Sequence, residues 1–272
     1  MVDSASDCRK EDFFVDYFIP IAINIDGKEY LGGVDIDSNT FYEKLQTAQE
    51  FPKTAQPAPQ TFVNYFEEVK KTGDELIYFC ISSALSGTYQ GANLAKAMVG
   101  YDKIYIIDTK AATHLIGILV QYAAKLREKG FTADEVVEKC EELKGRVKVL
   151  AGVDTLEYLY KGGRLSRTTA AVGSVANIKP IVTVTPEGTV DSIGKCIGKM
   201  RSMQFILDKL AGFELDENFP IYSLYTYGTE NCETLEQKLQ EKGYQVAERL
   251  QVGSAIGTHV GPGVYAVLFV TK

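Results

Sequence analysis

Histidine is nearly missing from this chain, with only His114 and His259 among 272 residues. A metal centre built from several imidazoles is therefore excluded. The five cysteines, Cys8, Cys80, Cys140, Cys196 and Cys232, are odd in number, far apart and without C-x-x-C spacing. They suit neither a disulfide framework nor a zinc site, and a reducing cytoplasm is the economical expectation. There is no Walker A pattern and no G-x-G-x-x-G, so nothing points to a nucleotide. No run of about 18 apolar residues occurs, and the start, Met1-Val2-Asp3-Ser4, lacks a basic segment followed by an apolar one. The expectation is a protein neither exported by that route nor integral to a membrane. Positive charge is short too: 29 Lys and Arg against 36 Asp and Glu leave a net charge of -7. That argues against nucleic acid, whose phosphates need clustered cations.

What is present is ordinary globular composition, 45% hydrophobic and 24% charged, in a chain long enough for two domains with a core each. The most informative stretch runs from Ile81 to Gln90. Before it, Glu75 to Ile81 is a short, nearly continuous apolar run, as expected of a strand buried on both faces of a parallel sheet. After it, Leu94 and Met98 recur at helical spacing until Gly100 offers a stop. Ser83, Ser86, Gly87 and Thr88 thus fall between the carboxyl end of a strand and the amino end of a helix, where free N–H groups and the helix dipole attract anions. The competing reading is a serine-rich loop that only caps its helix.

Along the rest of the chain, Val2 to Asp7 reads as the polar end of a strand whose apolar body is missing. Tyr17 to Ile25 reads as a strand, and Asp26-Gly27 as a turn into Glu29-Tyr30-Leu31. Ser38 is placed to cap a helix ending before Pro52, residues 52–59 read as extended loop, and a helix runs from Thr61 to Lys71. Strands are expected at Lys103–Ile107 and Val147–Val153, the latter as a third strand of the same parallel kind. A helix lies between them to about Lys129, and a second opens at the capping box from Thr132 to Glu135. This alternation implies a mostly parallel sheet flanked by helices over residues 1–153. Beyond Asp154 come a short helix, a hairpin across Pro186-Glu187-Gly188, and further strands and helices. These give an α+β domain over 154–272 with a mixed or antiparallel sheet.

His114 begins an apolar helical run and reads as structural. His259 lies in Gly257-Thr258-His259-Val260-Gly261-Pro262-Gly263, where three glycines and a proline leave little apolar cover and suit close backbone approach to a ligand. A Ser86–His259 nucleophile and base are conceivable, but Ala84 and Thr88 stand where the G-x-S-x-G elbow needs glycines. Arg164 and Arg167 bind an anion or a partner, or else are solvated charge beside a Gly162-Gly163 helix terminator. Lys195, Lys199 and Arg201 form a basic cluster in an acidic chain, which is a partner surface or only a solvated face.

Together the motifs resemble the DegV family of bacterial fatty-acid-binding proteins. The matching residues are Asp3-Ser4, Thr54-Ala55-Gln56-Pro57, Ser82 through Tyr89, Tyr158 through Ser166, Asn177-Ile178-Lys179-Pro180, and His259 through Gly263. They follow the family's order along nearly the whole chain. Ala55 departs from the serine of the family's T-S-Q-P and removes one hydroxyl. The resemblance implies a long-chain fatty acid, such as palmitate or oleate, with its acyl chain in an apolar tunnel between two α/β domains. It implies Thr54, Ser86 and His259 as contacts of the carboxylate, no cofactor, no catalysis, and a fatty acid kinase as partner that forms the acyl phosphate. Two other readings stay open: a serine hydrolase or acyltransferase on acyl esters, and a ligand-responsive interaction protein.

Overall fold

In the computed structural model, which describes residues 1–9, 12, 14–165 and 177–272, the chain opens on β1 (Val2–Asp3) and one helical turn at Ser4–Ser6. The expected strand from Tyr17 to Ile25 is divided in two, because Pro20 has no N–H for a ladder. β2 (Phe18–Ile19) lies parallel to β1, whereas β3 (Ala22–Ile25) pairs antiparallel with β4 (Lys28–Leu31) in another sheet. Asp26 and Gly27 join that hairpin with φ of 50° and 79°, the positive values a two-residue Asp-Gly turn uses. α1 (Ser38–Thr47) is capped by Asp37, one residue ahead of the expected Ser38, through the Thr40 N–H at 3.0 Å.

Residues 52–59, expected as loop throughout, hold β5 (Lys53–Ala55) paired with β3. The prolines flank this strand without entering it, so its donors survive. Pro59 takes the first position of α2 (Pro59–Thr72), where a missing N–H costs nothing. β6 (Leu76–Cys80), α3 (Thr88–Val99), β7 (Ile104–Asp108), α4 (His114–Glu128) and α5 (Ala133–Lys144) then follow the expected alternation. The capping box at Thr132 and Glu135 is formed in both directions. β1, β2, β6 and β7 make a parallel sheet in the order β2-β1-β6-β7. The chain leaves β1 toward one edge and β6 toward the other, and crevices beyond the carboxyl ends of such a strand pair are where α/β sheets bind ligands. Asp3, fully buried there, ties the two ends together by accepting from Ala5 N–H (3.0 Å), Ile81 N–H (3.3 Å) and the Tyr78 hydroxyl (2.8 Å).

The remaining elements are β8 (Val147–Gly152), α6 (Glu157–Lys161), β9 (Ile178–Val184), β10 (Val190–Ile197), α7 (Lys199–Leu210), β11 (Ile221–Tyr225), α8 (Glu230–Glu241), β12 (Val246–Gln251), α9 (Ser254–Val260) and β13 (Tyr265–Val270). The six strands among them form a mixed sheet, β10-β9-β8-β13-β11-β12, in which only β11 and β12 are parallel neighbours. The two-domain α/β architecture is therefore the one expected. One strand is not where it was expected: β8 joins this second sheet, antiparallel to β13 and β9. A continuous apolar run marks a central strand but not the sheet it enters. The chain accordingly changes sheet before Val147 and not after Val153. The stretch around His259, to which the sequence pattern assigned no element, is in part helical, since α9 carries Gly257 and His259. Gly257 is there for close packing: a Cβ would run into the fully buried rings of Phe41 and Tyr42 on α1. Among the described residues no helix is long and apolar enough to cross a membrane.

Candidate functional site

Beyond the ends of β1 and β6, under α9, lies a cavity of about 370 Å³. Much of its wall is small or branched apolar side chain, including Ala5, Ile21, Ile81, Ala112, Ala255 and Ile256. Its polar lining comprises Thr54 from β5, Gln56 just after it, Ser86 and Gly87 before α3, Arg164 after α6, and His259 from the last turn of α9. A larger cleft of about 750 Å³ is lined by charged groups such as Asp7, Asp12, Glu248 and Arg249, with none of the hydroxyls expected to bind the ligand. Of these two, the smaller cavity combines apolar walls with the residues expected to bind the ligand.

The structure brings together four of the six residues expected to bind the ligand. His259 Nε2 lies 2.9 Å from Thr54 Oγ1. Its Nδ1 is buried without a hydrogen-bond partner, and a Cβ on Gly162 would occupy the space against it. Burial foremost, and then the charge of Arg164, bring the imidazole down to about 4, so it is neutral at pH 7. A neutral ring has one N–H, and an orphaned buried N–H is costlier than an orphaned lone pair. The proton therefore belongs on Nε2, donated to Thr54, which leaves the Thr54 hydroxyl proton for the cavity. Ser86 Oγ is 2.8 Å from the buried hydroxyl of Thr88 and 3.3 Å from its N–H. With Thr88 donating, the Ser86 proton is likewise free. Gly87 is required by Gln56, whose carboxamide fills the position of a Cβ.

Thr88 thus acts behind Ser86 and does not line the cavity. Ser83 is turned elsewhere: its N–H donates to Asp108 at 3.0 Å and its hydroxyl accepts from Lys110 Nζ at 3.0 Å. Of the residues assigned to a partner, Arg164 faces the cavity instead, its Nε donating to Leu85 C=O at 3.1 Å and its Nη1 to Gly162 C=O. Lys195 and Arg201 are exposed. Lys199 lies 3.9 Å from Asp154, which Lys179 holds at 2.8 Å. Arg167 lies outside the described residues. Sequence reasoning assigned no role to Gln56 and missed the alanine walls, because alanines in a cavity wall read like alanines in a core.

His259 also sets a pH dependence. Unfolded, its imidazole takes a proton near 6.5; folded, only near 4. Between those values unfolding takes up a proton, so stability from this position rises with pH from about 4 to 6.5 and is complete above that window. The gap in unfolding free energy between the wild type and His259→Gln is expected to widen by up to about 3 kcal/mol across it. Urea titrations from pH 4 to 7 measure this, and a constant gap contradicts it.

A cavity with apolar walls and hydroxyl donors, set at the switch point of a parallel sheet and bordered by α9, belongs here to a two-domain α/β protein. The family model described as "Uncharacterised protein, DegV family" matches residues 1–272, and the chain belongs to the DegV family. It is 36% identical to the DegV domain-containing protein TTE1491 of Caldanaerobacter subterraneus subsp. tengcongensis, covering 100% of this chain and 98% of that one. Its fold is similar to that of a DegV family protein from Thermus thermophilus described by its fatty acid binding, with a TM-score of 0.88, 29% identity and coverage of 100% and 98%. It is also similar to DegV from Bacillus subtilis, described as a fatty acid binding protein, with a TM-score of 0.84, 26% identity and the same coverage.

Proposed function

We propose that this chain is a cytoplasmic, non-catalytic protein that binds one long-chain fatty acid and presents it to a fatty acid kinase. The observation that carries this reading is the pairing of apolar cavity walls with unspent donors at Thr54 and Ser86, the first held by His259. The fatty-acid-binding relatives above support it. In this reading the ligand lies between the two domains. Thr54 and Ser86 donate to the carboxylate, His259 orders Thr54 from behind, and the acyl chain lies along Ala5, Ile21, Ile81, Ala112 and Ala255. About 14 methylenes at roughly 0.8 kcal/mol each contribute on the order of 11 kcal/mol gross before ordering costs. Each charge-assisted hydrogen bond contributes about 1.5–3 kcal/mol. The tail then supplies most of the affinity, and the head group fixes register. The exposed Lys195 and Arg201, with Lys199 beside them, suit encounter with an acidic surface on the kinase.

The test is to purify the protein, extract it with organic solvent and identify what is released by mass spectrometry. The expected result is about one long-chain fatty acid per chain, and a melting temperature that rises when palmitate or oleate is added back. Lipid-free protein that takes up neither would overturn the proposal.

A further inference from the structure

Both ends of α9 are held by side chains from the first half of the molecule. At its carboxyl end His259 meets Thr54. At its amino end the chain from Gln251 to Gly253 is gripped from three elements. The Tyr42 hydroxyl on α1 donates to Val252 C=O at 2.8 Å. His114 Nε2, at the start of α4, lies 2.9 Å from Gln251 C=O. The carboxylate of Asp7, in the loop after β1, packs against Gly253, the residue that caps α9, whose backbone N–H favours its charged form.

Asp7 is an unusual residue for that task. Its side chain is 4% exposed, and the nearest basic group is His114, whose Nε2 is 4.0 Å away. Its backbone is left-handed, with φ of 54°, as is that of Thr113, whose hydroxyl donates to the other side of the same carboxylate. A non-glycine residue in that region carries strain that the surroundings must hold in place. Gly253 has no room for a Cβ, because Asp7 Oδ1 fills the space. Two backbone distortions and one glycine thus serve a single contact between the loop after β1 and the first residue of α9.

We propose that Asp7 is a positioning residue for the head-group site: through Gly253 it sets the axis of α9, and so the place of His259 against Thr54. The inference rests on the fatty-acid reading. α9 has 7 residues and little length over which to absorb an error at its start, so a shift at Gly253 is delivered to the imidazole.

The test compares palmitate with 1-hexadecanol, which has the same chain without a carboxylate, on wild type, Asp7→Asn, Asp7→Ala and His259→Ala. Asparagine tolerates the left-handed backbone but keeps only one acceptor oxygen. Asp7→Ala is expected to weaken palmitate binding roughly tenfold, about what losing one charge-assisted bond costs. Binding of hexadecanol should stay within about twofold, and Asp7→Asn should fall between wild type and Asp7→Ala. General loosening of the fold would weaken both ligands alike, and that result, or unchanged palmitate affinity in both Asp7 variants, overturns the proposal. Should Asp7→Ala not fold, Asp7→Asn decides on the same comparison. Palmitate affinity that survives His259→Ala overturns the head-group reading and this proposal with it, whereas loss in His259→Ala alone overturns only the role of Asp7.

Discussion

Palmitate affinity is expected to fall by about ten- to a hundred-fold when Ser86 is replaced by alanine, the loss of one hydrogen bond to a charged group. Ser86 is poised for that bond because the buried Thr88 hydroxyl supplies it with a donor, leaving its own proton unspent. Thr54→Ala and His259→Ala should fall in the same range, since each breaks the same donor chain at a different link. The three variants together also separate binder from hydrolase. A hydrolase would need His259 as the base for Ser86, yet His259 Nε2 is engaged with Thr54 and Ser86 with Thr88. If ester turnover occurs, Ser86→Ala should abolish it with little effect on substrate binding, and Thr54 should matter little. Affinity for palmitate and cleavage of an acyl ester are measured on wild type and all three variants at pH 7. Ester cleavage in wild type that vanishes only in Ser86→Ala and His259→Ala would sink the binding model.

The second large effect concerns packing. Gly257→Ala places a methyl group against the Tyr42 hydroxyl, 2.8 Å from Tyr42 Cζ and 2.9 Å from Phe41 Cε1, in rings with no exposure. Helix propensity favours alanine by about 1 kcal/mol. Overpacking between rigid rings costs about 1–3 kcal/mol, and losing the Tyr42 bond to Val252 costs about 1 more. The clash wins, by about 2 kcal/mol, which lowers the melting temperature by roughly 5 °C in a chain of this size. Palmitate affinity should fall as well, because His259 lies two residues further along α9. Gly145→Ala, where a Cβ meets nothing within 4 Å, is the control and should leave both unchanged. Thermal melts and palmitate titrations of the two variants check this, and a Gly257→Ala protein as stable as wild type contradicts it.

The alternation of strand and helix from Leu76 to Lys144 was legible because its periodicities are local and strong. The spacing of the 81–90 stretch left an anion site and a capping loop both open, and Ser86 and Gly87 line the cavity. Its neighbour Ser83 was indistinguishable in sequence, because the pairing of Asp108 and Lys110 that diverts it comes from a different strand end. Thr54 was visible only through resemblance, since three prolines nearby disguised a strand as a loop. Arg164 read equally as partner surface because burial is not written in a charged residue. Gly257 was read as room for a ligand's close approach, and its reason for being glycine, two rings on α1, lies more than 200 positions away in the chain.

The position of β8 bears on how the molecule is made. Its residues Val147 to Gly152 pair with Val270 to Tyr265, so the middle of the second sheet waits for a strand made more than a hundred residues later. Emerging from the ribosome at about 5–20 residues per second, the parallel sheet has all its strands by Asp108. β8 must then remain without its β13 partner while more than a hundred further residues are made. α9 and β13 arrive last and nearly together, one closing the cavity and the other closing the sheet. A nascent chain of this protein therefore completes its cavity and its second core in the same few seconds, and before then an apolar strand and the floor of the cavity stand open to water.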